Sequence, residues 1–116
     1  MKILIVDDEE IILEILKDDI EESFPGASVV CAVDGVAALE LYNKEADFTL
    51  VITDIKMPRM NGLELIEEIN KQDSPPPVIV VSGHIDRDFD INYGNKVSVL
   101  AKPYDFEVLE ELIKNH

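Results

Sequence analysis

Residues 50–66 read Leu50-Val51-Ile52-Thr53-Asp54-Ile55-Lys56-Met57-Pro58-Arg59-Met60-Asn61-Gly62-Leu63-Glu64-Leu65-Ile66. The Leu50–Ile52 run is apolar without alternation, as expected of a strand covered on both faces of a parallel sheet. An acid, Asp54, follows it directly. After the Asn61-Gly62 step, Leu63, Leu65, Ile66 and Ile69 recur at helical spacing. Strand, acidic loop and helix in that order are the repeating unit of a parallel α/β fold.

Working outward, the same alternation fills the chain. Further short apolar runs lie at Ile3–Val6, Val29–Val33, Val78–Val81 and Val97–Leu100. Between the first two, Ile11, Ile12, Ile15, Leu16 and Ile20 form an apolar stripe opposite Glu14, Lys17, Asp18 and Glu21, ended by Pro25-Gly26. Asp34-Gly35 leads into a second helix over Val36–Ala46, and Pro75-Pro76-Pro77 stiffens the approach to the fourth strand. A last helix starts near Tyr104-Asp105 and carries Phe106, Val108, Leu109, Leu112 and Ile113. The segment Ile85–Lys96 is poor in helix formers and contains Gly94, so only a short or irregular helix is expected there. Strand and helix alternating in this way predict right-handed crossovers and a single three-layer α/β domain.

Composition narrows the function. The chain has 116 residues, a net charge of −15 and 47% hydrophobic residues. Its pI is near 4.2 and its mean hydropathy +0.05, which suits an ordinary core rather than a disordered acidic tail. Such a charge repels phosphate backbones and anionic bilayers, so neither direct nucleic-acid binding nor membrane binding is expected. The longest apolar run, Val29-Val30-Cys31-Ala32-Val33, falls far short of the roughly 20 residues that span a bilayer. No signal peptide is visible, and the single cysteine, Cys31, reads as a buried reduced thiol, so a cytoplasmic domain is expected.

In open parallel sheets, ligands bind beyond the carboxyl ends of the strands. Asp7 and Asp8 follow the first strand, Asp54 the third, Ser82 and Gly83 the fourth, and Lys102 and Pro103 the fifth. Asp34, after the second, reads as a residue of its Asp-Gly turn. Each group alone has an ordinary explanation as a helix cap, turn residue or solvated charge. Four strands delivering them to one edge is harder to explain that way. Two carboxylates about 4 Å apart repel by roughly 4 kcal/mol at an effective dielectric near 20, so a cluster of three calls for raised pKa values or a cation. A few hard oxygen ligands suit Mg2+, with Mn2+ as an alternative, in a site shared with phosphate oxygens. Lys102 then supplies a point charge for that anion and Ser82 a hydroxyl donor.

Four stretches carry a resemblance to a known family: Ile3-Leu4-Ile5-Val6-Asp7-Asp8-Glu9, Val51 through Gly62, Val80-Val81-Ser82-Gly83-His84, and Leu100-Ala101-Lys102-Pro103-Tyr104. Together they resemble the receiver domain of bacterial response regulators, over essentially the whole chain. The resemblance implies a flavodoxin-like (βα)5 fold with a five-stranded parallel sheet in the order 2-1-3-4-5. It implies a phosphoryl-accepting switch in which Asp54 takes a phosphoryl group from a phosphohistidine of a sensor histidine kinase or phosphotransfer protein. Asp8 would ligate Mg2+ directly and Asp7 mainly through water, with Asp54 and the Lys56 carbonyl completing the protein's share. Lys102 would pair with the acceptor and then the phosphoryl group, Ser82 would hydrogen-bond it, and the Lys102–Pro103 peptide would be cis. Lys56 and His84 would tune the lifetime of the phosphorylated state. The domain would assist its own phosphorylation and dephosphorylation rather than act as an enzyme on other substrates.

Other expectations follow from the same resemblance. Residues 1–116 form one receiver domain, whole or excised from a longer response regulator or hybrid protein, and a homodimer on phosphorylation is one option. Relatives often carry Tyr or Phe three residues before the lysine. Here that residue is Val99, so the usual aromatic relay is absent or altered, with Tyr93 and Tyr104 as the nearby rings. Met57 and Met60 are expected to serve packing, and Tyr104 to pack at the start of the last helix. Two rival readings are a phosphate-independent binding module on this fold and a haloacid dehalogenase-type phosphatase. The latter needs its second acid two residues after the first-strand nucleophile, and Asp7 is followed by Asp8, Glu9 and Glu10.

Overall fold

The computed structural model describes residues 1–45, 47–83 and 97–115. Strands β1 (Lys2–Val6), β2 (Ser28–Ala32), β3 (Leu50–Asp54), β4 (Val78–Ser82) and β5 (Val97–Ala101) alternate with helices α1 (Glu10–Ser23), α2 (Gly35–Lys44) and α3 (Gly62–Asn70), and α4 (Phe106–Lys114) follows β5. The strands form one sheet in the order β2-β1-β3-β4-β5, and every pairing is parallel. The expected fold and strand order are thus present. The weak-helix segment Ile85–Lys96 lies outside the described residues, as do His84, Tyr93, Ala46 and His116.

Uninterrupted apolar strands arise because both sheet faces are covered. Successive side chains point to opposite faces, so Ile3 and Ile5 join α1 and α4 through Leu16, Ile20, Leu109 and Ile113. Leu4 and Val6 join α2 and α3 through Ala38, Leu65, Ile66 and Ile69. Each such side chain, once fully buried, contributes about 1.5–3 kcal/mol of transfer free energy. Met57 and Met60 pack against the second cluster and Tyr104 against the first, which is the packing role expected of them.

Two local expectations need correction. On α1 the sheet-facing residues are Leu13, Leu16 and Ile20, whereas Ile11 is 72% and Ile15 52% exposed. Residues spaced three and four apart share a helix face. Leu13-Leu16-Ile20 meets that rule, and the remaining apolar residues exceed what the sheet can cover. Cys31 is only partly buried, against the first cluster, and that burial pushes its thiol above the ordinary value. Among the described residues no helix is long and apolar enough to cross a membrane.

Helix starts fix the loops above the sheet. Asn61 accepts from the Glu64 amide at 2.9 Å while the Glu64 side chain accepts from the Asn61 amide at 3.3 Å, a capping box that sets where α3 begins. Asp34 is the N-cap of α2 and accepts from the Ala37 amide at 2.8 Å.

Candidate functional site

Strand ends carry the polar groups to one edge. Asp7 follows β1, its amide donating to the Ala32 carbonyl at 3.1 Å. Asp54 closes β3, Ser82 closes β4, and Lys102 follows β5 with its amide on the Ser82 carbonyl at 2.8 Å. The Lys102–Pro103 peptide is cis.

Asp54 is held at both carboxylate oxygens. Oδ1 accepts from the Ile55 amide at 2.6 Å and the Lys56 amide at 3.3 Å, and Oδ2 accepts from Lys102 Nζ at 2.8 Å. The same ammonium lies 3.5 Å from Asp7 Oδ2. Asp7 Oδ1 in turn accepts from the Glu9 amide at 2.9 Å. Asp7, Asp8 and Asp54 each offer a carboxylate oxygen within 4.8 Å of the others. Asp7 is 4% exposed, Asp54 partly buried and Asp8 open to solvent. Asp54, Lys56, Ser82, Gly83 and Lys102 line one cleft, and Asp8, Ile55, Lys56, Met57, Pro58 and Asn61 line its neighbour. Asp7, Asp8, Asp54, Lys56, Ser82 and Lys102 thus meet at one edge, with Lys56 lining both clefts, while His84 lies outside the described residues.

Electrostatics in the cluster are strained on the acidic side. Burial pushes the Asp7 carboxyl above the ordinary range; the Glu9 amide and Lys102 oppose this, and the charges of Asp54 and Asp8 add to it. Burial also works to lower the Lys102 ammonium, yet its hydrogen bond to Asp54 and the charges of Asp7 and Asp54 outweigh this and leave it above the ordinary lysine value. Lys102 contacts two of the three carboxylates, Asp54 and Asp7, and a hard divalent cation bound by oxygens fits the remaining charge.

The loop after Asp54 bends back tightly. A side chain at Gly62 would collide with the Asp54 carbonyl oxygen, and the Gly62 amide donates to the Ile55 carbonyl at 2.8 Å. Gly62→Ala is therefore expected to cost about 1–3 kcal/mol, as overpacking does, read as a lower thermal midpoint.

One contact escaped the sequence reading. Asp34 is not only a cap but is gripped by Arg59, through Nε to Oδ2 at 3.0 Å and Nη2 to Oδ1 and Oδ2 at 3.0 and 2.8 Å. The Ala37 amide and the Arg59 guanidinium hold the Asp34 carboxyl below the ordinary range, against the opposing effect of burial. No local spacing signals this pair, because only the fold brings the two loops together. Val99, in place of the aromatic expected on β5, is 39% exposed.

Comparison with known proteins agrees with this arrangement. The family described as the response regulator receiver domain matches residues 3–114. The Regulator of RpoS of Escherichia coli is 48% identical over 83 residues, covering 70% of this chain and 23% of that protein. The aerobic respiration control sensor protein ArcB of Escherichia coli is 31% identical over 119 residues, covering 98% of this chain and 15% of that protein. A solved structure of the response regulator TrrA of Thermotoga maritima, in complex with Mg(2+)-BeF, superposes with a TM-score of 0.84 at 32% identity, covering 98% of this chain and 96% of that one. This chain spans less than half the length of the curated relatives. With the fold, the strand-end cluster and this match in agreement, the chain belongs to the response regulator receiver domains, the phosphoacceptor switches of two-component systems.

Proposed function

We propose that Asp54 is the phosphoryl acceptor, and that a phosphohistidine of a sensor histidine kinase or phosphotransfer protein is the donor. The observation that carries this reading is the double anchoring of Asp54 between loop amides and Lys102, beside Asp7 and Asp8. A carboxylate oxygen of Asp54 attacks phosphorus as the phosphorus–nitrogen bond to the donor imidazole breaks, and the electron pair leaves with the imidazole. Transfer of this kind rests on alignment and charge stabilisation, because its transition state is largely dissociative.

Each residue of the edge has a task in that step. Ile55 and Lys56 amides orient the acceptor, and Lys102 offsets charge on the equatorial phosphoryl oxygens. Ser82 donates its hydroxyl to one of those oxygens. Asp7, Asp8, Asp54 and the Lys56 carbonyl would hold Mg2+, or Mn2+ in its place. When bound, that ion adds positive charge where the phosphoryl oxygens gather. Hydrolysis of the acyl phosphate by water then restores the Asp54 carboxylate and releases phosphate. In this sense the domain assists its own phosphorylation and dephosphorylation.

Residues 1–116 act as one cytoplasmic receiver domain, and phosphorylation changes its output face. The direct test is intact mass after incubation with acetyl phosphate. One phosphoryl group is expected with Mg2+ and none in excess chelator. Equal uptake in both samples would overturn the metal assignment, and no uptake with either acetyl phosphate or a phosphorylated donor domain would overturn the acceptor reading.

A further inference from the structure

We infer that Arg59 is a positioning residue for the phosphoryl and metal site, acting through Asp34; the inference rests on the reading of that site given above. The loop from Ile55 to Asn61 supplies the amides that hold Asp54 Oδ1, and its wall faces Asp8. Wherever this loop sits, the acceptor oxygen and the Lys56 carbonyl go with it. Its near end is fixed by β3 and by the Gly62 close approach. Its far bend crosses to α2, and Arg59 marks the crossing.

Three observations converge on that residue. Its backbone has φ of 67°, a left-handed conformation that a side chain with a Cβ adopts only at a cost. Its guanidinium grips Asp34 through three hydrogen bonds of 2.8–3.0 Å. Asp34 is itself buried, 7% exposed, and tied as N-cap to the Ala37 amide. Beside it, a side chain at Gly35 would strike the Met60 carbonyl oxygen, so the two loops lie backbone against helix start.

Magnitudes separate placement from stability. The Arg59 side chain is 59% exposed, so water can take its place, and Asp34, its side chain 9% exposed, keeps its Ala37 amide and the helix N-terminus when the guanidinium is removed. A planar two-point fork nevertheless fixes direction, which a single ammonium cannot do. Arg59 therefore sets where the bend lies more than whether the domain folds.

Arg59→Gly and Arg59→Lys in the full chain test this. Glycine accepts the left-handed backbone without cost, so it removes the grip and relieves the conformational penalty together. Arg59→Gly is expected to keep its thermal midpoint within a few degrees of wild type. By calorimetry its Mg2+ Kd should rise about tenfold, the low end of what outer partners of a metal site contribute. Without metal, the Ile55 and Lys56 amides should exchange faster with solvent. Arg59→Lys should recover part of both effects. Unchanged Mg2+ affinity and amide exchange in Arg59→Gly would overturn the inference, and so would losses that only follow a lowered midpoint. If wild type itself binds no Mg2+, the site reading falls and this inference with it. Failure of the inference alone leaves wild-type binding intact.

Discussion

Asp54→Asn is expected to leave the domain folded and to abolish phosphoryl uptake from acetyl phosphate in the presence of Mg2+. The fold tolerates the change because the amide oxygen can still accept from the Ile55 and Lys56 amides that now hold Oδ1 at 2.6 and 3.3 Å. What disappears is the anionic oxygen that Lys102 contacts at 2.8 Å. A neutral amide is a poor nucleophile towards phosphorus, and removing the nucleophile of a covalent step commonly reduces its rate by about 10⁶-fold. Intact mass would then show only unmodified protein, while circular dichroism matches wild type. Uptake of one phosphoryl group by the variant at the wild-type rate would move the acceptor elsewhere, with Asp7 and Asp8 the neighbouring carboxylates among the described residues.

Much of that site was legible before any coordinates. The rule that ligands gather beyond the carboxyl ends of parallel strands brought Asp7, Asp54, Ser82 and Lys102 to one edge, and each does stand at or just past its strand. The rule works because apolar runs mark strands well and a polar residue follows each run, at once in four strands and one residue later, after Ala101, in β5. Less legible was the difference between Asp7 and Asp8. Neighbours on one turn read alike in sequence, yet one is 4% exposed and the other faces solvent.

Rotation of α1 was also hidden. Ile11, Ile15 and Leu16 are equally apolar, and a helix with more than one apolar face does not say which face meets the sheet. The Arg59–Asp34 grip is a third kind of loss. It joins residues 25 apart through two loops, and pairwise side-chain geometry of that sort has no periodicity to betray it.

Charge explains why a cation suits the acidic cluster and why the cluster costs stability without one. Lys102 divides its ammonium between Asp54 at 2.8 Å and Asp7 at 3.5 Å, and the closer contact is the stronger. Asp7 is therefore the carboxylate with burial least offset, consistent with its raised pKa.

Asp7→Asn should accordingly make the metal-free protein more stable. An acid whose pKa is higher in the folded than in the unfolded state binds more protons when folded, so stability falls as pH rises from the ordinary value near 3.9 through the raised one. At pH 7 wild type carries that loss and the variant does not. The Asn carbonyl can keep the Glu9 amide bond now made by Oδ1 at 2.9 Å, and the contact given up with Lys102 is the longer one. A gain of about 1 kcal/mol raises Tm by about 4 °C in a domain of this size. The gap should close as pH is lowered below the ordinary value near 3.9, where wild-type Asp7 becomes protonated in both states. Mg2+ reverses the order, because a ligand at a hundredfold excess over its Kd adds about 2.7 kcal/mol to a protein that binds it, and the variant has lost one carboxylate of the site. Thermal unfolding of both proteins, with and without Mg2+ and at about pH 3 and 7, reads all of this. A variant that melts below wild type at pH 7 without metal would show that Asp7 is not the strained carboxylate, and one that gains as much from Mg2+ would show that it is not part of the metal site.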